Sequence, residues 1–174
     1  MPDEHALLLN AISQHSDNTI WIGAPFEQIK RVSNTKVGSV GQTFIESLTG
    51  ALQIAIAFPT NARGRRQTQS PWDIELEGIK FELKTATEDT TGHFQFNHIR
   101  YHRPYDALLC LGISPDAIYF NMWSKADVTT GRAGNLVSME AGANASYKLT
   151  KTPSQLFPIA QFATQFAAFK AAWT

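Results

Sequence analysis

Residues 70–86 read SPWDIELEGIKFELKTA, and an acidic residue stands at nearly every other position of what otherwise reads as two β-strands. Trp72, Ile74 and Leu76 share one face of the first strand, while Asp73, Glu75 and Glu77 share the other. After Gly78, Ile79, Phe81 and Leu83 alternate with Lys80, Glu82 and Lys84 in the same way. A two-residue turn at Glu77-Gly78, favoured by glycine in its second position, pairs Leu76 with Ile79 and Glu75 with Lys80. The same count sets Asp73 directly opposite Glu82. Opposed side chains have Cβ atoms ~5 Å apart, so two carboxylates there repel. A divalent cation relieves that repulsion, since Mg²⁺ needs few protein carboxylates and keeps several waters. Lys84 projects from the same face, where it can hold or deprotonate a metal-activated water. Glu75 and Glu77 read as solvated surface.

The rest of the chain frames this hairpin. Residues 3–14 read as a helix with Asp3 and Glu4 in its first turn and a stripe of Leu8, Ala11 and Ile12. Residues 37–54 read as a second helix, with Ser39 as its cap and Val40, Phe44, Leu48 and Leu52 as its apolar face. The segment 59–71 has no periodicity and is a loop. After the hairpin, GHFQFNHIR (92–100) alternates polar and apolar residues, and strands follow at 105–113 and 116–123, joined by Ser-Pro turn chemistry. Residues 124 to about 155 read as polar and loop-like. A closing helix carries Ile159, Phe162, Phe166, Phe169 and Trp173, a stripe that faces the core in preference to a dimer seam. This order predicts an α/β fold with one central mixed β-sheet flanked by helices.

Composition narrows the class. At 174 residues the chain has the length of one domain, and 43% hydrophobic content is enough to build a core. Fifteen basic residues balance fifteen acidic ones, so an anionic polymer has to be held by a local patch rather than by a global field. The single cysteine, Cys110, lies in the apolar run ALLCLGI and reads as a buried, inert thiol of a reducing compartment. The acidic N-terminus lacks the basic region of a signal peptide, and LFPIAQFATQFAAF (156–169) is short and broken by Pro158. A cytoplasmic protein without a membrane span is therefore expected.

Asp73 followed by Glu82-Leu83-Lys84, in a strand reading FELKTA, resembles the core motif of the PD-(D/E)XK nuclease superfamily, and of its type II restriction endonucleases in particular. The similarity to the mismatch-repair nicking endonuclease group is weaker. In order of elements it covers about residues 37–123; the proline of the motif is separated from the aspartate, as Pro71-Trp72-Asp73. The resemblance implies a restriction-endonuclease-like sheet in a single nuclease domain, 1–174, and Mg²⁺-dependent, sequence-specific hydrolysis of double-stranded DNA. It implies Asp73, Glu82 and the Leu83 carbonyl as metal ligands, Lys84 as the residue that positions the attacking water, and Glu46, on the preceding helix, as a further catalytic acid. A homodimer is expected, because one active site per subunit cuts one strand. A repair, nicking or junction nuclease of the same fold is the alternative, as is a DNA-binding module without catalysis.

Two flanks are candidates for contact with DNA. Arg63, Arg65 and Arg66 crowd the loop before the motif, either as phosphate ligands or as a solvated loop. HFQFNHIRYHR (93–103) presents Gln95, Asn97, His98, Arg100 and Arg103 just after the motif strand, and Asn, Gln and Arg are the residue types that read A or G edges. His98 and His102 lack a third ligand for zinc.

Overall fold

The computed structural model describes residues 3–15, 20–67 and 70–173, so residues 68–69 of the expected loop lie outside it. The fold is mixed α/β. Its main sheet has six strands: β1 (Ile56–Ala57), β2 (Ile74–Leu76), β3 (Ile79–Thr87), β5 (Ala107–Ile113), β6 (Ile118–Ser124) and β9 (Phe157–Pro158), in that spatial order. The sheet is antiparallel except that β3 and β5 run parallel, from Phe81 beside Ala107 to Thr87 beside Ile113.

β5 explains the layering. Every residue of ALLCLGI is buried, as a strand covered on both faces must be. Ala107, Leu109, Leu111 and Ile113 feed one core together with Ile74, Phe81 and Leu83. Helices α2 (Asn34–Ala51) and α4 (Phe162–Ala172) close that face through Ile45, Phe162 and Phe166. Leu108 and Cys110 feed a second core with Phe94, Phe96, Ile99 and Leu149, which come from a separate three-stranded sheet. That sheet, β4–β8–β7, consists of β4 (Phe94–Ile99), β8 (Ser146–Lys151) and β7 (Leu136–Glu140).

The second sheet corrects two expectations. There are two sheets rather than one, and the stretch 124–155 holds a short helix α3 (Lys125–Thr129) with β7 and β8. The polar reading of that stretch is right about surface and wrong about structure. β7 is exposed along most of its length, so it has little apolar alternation to betray it.

Smaller corrections follow from packing. α2 starts at Asn34, and Ser39 lies inside the helix, not at its cap. Its buried face is Gly41, Ile45 and Thr49, flanked by half-buried Phe44 and Leu48, while Val40 and Leu52 are largely exposed. Gly41 is obligatory there: a Cβ would sit 1.9 Å from Thr85 Oγ1, so the helix crosses β3 at its closest approach. The chain bends at 71–73, which breaks alternation before Ile74 and leaves Trp72 half-buried under Lys80 instead of in the core. The terminal helix faces the core through Phe162 and Phe166, as expected, although Ile159 belongs to a preceding 3₁₀ turn and Trp173 is half out. Helix α1 (Glu4–Gln14) forms where expected, capped by Asp3, yet none of its residues is buried.

The two sheets are in tight contact at Gly112, where a Cβ would lie 2.8 Å from the Phe94 ring. Gly112→Ala is expected to cost about 1–3 kcal/mol by overpacking. Chemical denaturation checks this, and Phe94→Leu in the same chain should recover part of the loss.

Candidate active site

The hairpin register is the expected one: Leu76 pairs with Ile79, Glu75 with Lys80 and Ile74 with Phe81. Glu77 and Gly78 both take positive φ, 45° and 90°, as a two-residue turn with the twist of the strands requires. The ladder ends at Ile74–Phe81, and the Asp73 N–H donates to that same Phe81 carbonyl at 3.0 Å, as the extra residue of a β-bulge does, so Asp73 is not paired in register with Glu82, contrary to the count from the turn. Asp73 nevertheless stays close enough to Glu82 for the two charges to repel. Its Oδ2 accepts the Leu83 N–H at 2.8 Å, standing in for the strand that ends there. A strand residue directs its N–H and C=O to the same side, so the Leu83 carbonyl opens into the same gap.

Glu82 sits on the second-core face of β3, beside Leu108 of β5, and is only 1% exposed. Lys84 Nζ lies 2.7 Å from its Oε1, and Arg103 Nη1 lies 3.8 Å from its Oε2. Both contacts are ion pairs outside hydrogen-bond geometry, and both Glu82 oxygens are buried without a hydrogen-bond donor. The Tyr105 hydroxyl is a third orphan at this site; burial first, and the Glu82 charge second, push its pKa up. Burial, followed by repulsion from Glu82, likewise raises the Asp73 carboxyl above its ordinary value, against the pull of the Leu83 N–H, Lys84 and Arg103.

A buried Glu82 carboxylate and a half-buried Asp73 carboxylate close enough to repel it, with the Leu83 carbonyl beside Asp73, offer the donor types a hard divalent cation takes. Among the described residues no three His, Cys, Asp or Glu side chains converge, so protein would supply the two acids and the carbonyl and water the remaining positions.

The other sequence candidates divide. Glu46 on α2 points to the loop before the hairpin, where its Oε1 pairs with Arg66 Nη2 at 2.9 Å and does not join the acidic pair. Arg63 and Arg65 are exposed at the tip of that loop, whose turn is tied by Asn61 Oδ1 accepting the Arg63 and Arg65 N–H groups at 2.9 and 3.0 Å. Gln95 donates to Asp89 at 3.1 Å, and it lines a small groove with Asn97, Thr85 and Thr87. His98 and Arg100 both face Glu140 of β7, at 3.6 and 3.8 Å. Arg103 is the member of the 93–103 set that reaches the acidic pair. Cys110 is buried, and burial pushes its thiol pKa up, as expected of an inert cysteine.

Sequence reasoning missed two residues. Gln42 lines a cleft of about 310 Å³ with Arg66 and Asp73; it lies one helical turn before Glu46, so helical spacing could have found it. Tyr105 carried no signal, since it reaches Glu82 through the turn into β5.

No family model matches the chain, and no curated protein matches it. A solved bacterial homing endonuclease, I-Ssp6803I, is similar in structure with a TM-score of 0.45 and 14% identity, over 82% of this chain and 99% of that one. At that score only part of the arrangement of elements is shared, and the chemistry has to be argued from the side chains.

The repulsion is directly testable. Asp73 binds its proton more tightly folded than unfolded, so this contribution to stability is present below the ordinary value of 3.8 and is lost as pH rises through the raised folded value. Asp73→Asn keeps an acceptor for the Leu83 N–H and removes the charge. It is expected to raise the melting temperature of the metal-free protein at neutral pH and to abolish any further rise on adding Mg²⁺, both read by calorimetry.

Proposed function

We propose that this chain is a divalent-metal-dependent endonuclease that hydrolyses double-stranded DNA at a specific sequence in the manner of type II restriction enzymes. Residues 1–174 form its nuclease domain, Mg²⁺ is its cofactor, and it works in the cytoplasm. The observation that supports this reading is the buried Glu82 carboxylate, close enough to Asp73 to repel it and ion-paired with Lys84 and Arg103.

Bound Mg²⁺ supplies charge against the developing phosphorane and a more acidic water. The residues do the rest. Asp73 and Glu82, with the Leu83 carbonyl, would hold the cation, and their mutual repulsion would favour a dication. Lys84 stands 2.7 Å from Glu82, where its ammonium can orient a water for in-line attack and take up the negative charge that builds there. Arg103, on the other Glu82 oxygen, supplies a fixed positive charge within reach of a phosphate.

DNA carries one charge per ~1.7 Å of duplex axis, so the acidic pair needs cations beside it. The loop tip with Arg63 and Arg65 meets that need by gripping phosphates, and Asn97 and Gln95 border the groove beyond Thr85 for base contact. A homodimer follows from the need to cut two strands. Its seam is best sought on α1, whose Leu7, Leu8 and Leu9 are 58%, 61% and 66% exposed. Leu8→Glu is expected to halve the mass measured by light scattering.

One observation favours a second reading. Gln95, His98 and Arg100 are each drawn to an acid of the chain itself, which suits a repair, nicking or junction nuclease that reads DNA shape more than base edges. A plasmid panel separates the two: discrete fragments indicate a restriction-type enzyme, and nicked circles indicate the other. Lys84→Ala is expected to keep DNA affinity and lose about 10²–10⁴-fold in cleavage. Asp73→Ala should lose cleavage as well, while binding metal-free DNA more tightly because one negative charge has left the phosphate path. Wild-type cutting by both variants would reduce the hairpin to a solvated face and leave at most a DNA-binding module.

A further inference from the structure

The cleft beside Asp73 has a builder that the metal reading does not use. It lies between α2 and the loop before the hairpin, holds about 310 Å³, and is lined by Gln42 and Arg66 as well as by Asp73. Arg66 is unusually well placed for an exposed side chain. Its guanidinium stacks on the Phe58 ring at 3.7 Å, and one Nη2 donor goes to Glu46 Oε1 at 2.9 Å. The backbone beneath it is braced too: Arg66 bridges Thr60, and the Gln67 N–H donates to the Pro59 carbonyl at 2.9 Å. A guanidinium has five N–H donors, so the pair with Glu46 leaves others to aim into the cleft. A stacked and paired arginine loses less side-chain freedom on taking a ligand than a free one does.

Resting on the nuclease reading, we infer that this cleft is a phosphate subsite. Arg66 takes a backbone phosphate of the DNA strand next to the one held at Asp73 and Glu82, with the Gln42 amide beside it. Glu46 is then a positioning residue for Arg66 and not a metal ligand. Its place on α2 suits that role, because Phe58 and Glu46 fix the guanidinium from two directions while Glu46 stays outside the acidic pair. Removing Glu46 therefore has a counter-intuitive consequence. Deleting a negative charge near DNA ordinarily strengthens binding, whereas here it frees Arg66 to swing away and weakens it.

The test uses the full chain, a labelled DNA duplex without divalent metal read by fluorescence anisotropy, and Mn²⁺ titrated in parallel by electron paramagnetic resonance. Arg66→Ala is expected to weaken duplex binding about tenfold, the size of one lost charged hydrogen bond. Glu46→Ala should weaken it by a similar factor, the double variant should be no weaker than Arg66→Ala, and Mn²⁺ affinity should be that of the wild type. Unchanged or tighter duplex binding by Glu46→Ala would overturn the inference, as would a fall in its Mn²⁺ affinity, which would make Glu46 a ligand. Additive losses in the double variant would overturn it as well. A wild-type protein that binds neither duplex nor Mn²⁺ would overturn the nuclease reading itself, and this inference with it; binding by the wild type with the wrong variant pattern overturns the inference alone.

Discussion

Two carboxylates brought within repelling reach at the open end of a two-residue hairpin set the terms for the rest of the molecule, and neither can turn away. Asp73 is tied by its own N–H to Phe81 and by its carboxylate to the Leu83 N–H. Glu82 is enclosed because β5 beside it is buried on both faces and a second sheet covers that side. The layering that excludes water from Leu108 and Cys110 also excludes it from Glu82. Lys84 and Arg103 offset the repulsion as ion-pair partners of Glu82, and the proposed dication would add to them.

The hairpin was legible in the sequence because two constraints overlap there. A period of two assigns faces, and a turn of two residues ending in glycine fixes register, so the pairs from Leu76–Ile79 to Ile74–Phe81 follow by counting; the count fails at Asp73, whose N–H shares the Phe81 carbonyl, although Asp73 stays near Glu82. Where only one constraint operates, the reading falls short. α2 shows a four-residue apolar spacing, but the face that packs is chosen by Gly41 crossing Thr85, a close approach that hydrophobicity alone does not reveal. Trp72 shares the parity of Ile74, yet the bend at 71–73 turns it toward Lys80. The partners of β4 in the sheet that encloses the site were not visible, because β7 is almost wholly exposed and in β8 only Ser146 and Leu149 are fully buried, with Lys148 and Lys151 among the half-buried rest. Arg103 and Tyr105 reach Glu82 through tertiary proximity, which no local spacing encodes.

Charge placement accounts for how a neutral chain would meet a polyanion. Beyond Lys84 and Arg103, the flanking polar residues differ in how they are held. Arg63 and Arg65 make no ion pair among the described residues, at a tip whose turn Asn61 ties, whereas His98 and Arg100 are held by Glu140 and Gln95 by Asp89.

The central claim is that Asp73, Glu82 and the Leu83 carbonyl together hold a divalent cation, and diffraction from crystals soaked in Mn²⁺ tests it most directly. The account predicts one strong anomalous peak bound to an oxygen of each carboxylate and to the Leu83 carbonyl, at the ~2.0–2.3 Å typical of hard divalent cations, with Lys84 released from Glu82. A site that stays empty in saturating Mn²⁺, with Lys84 Nζ still against Glu82 Oε1, would contradict it.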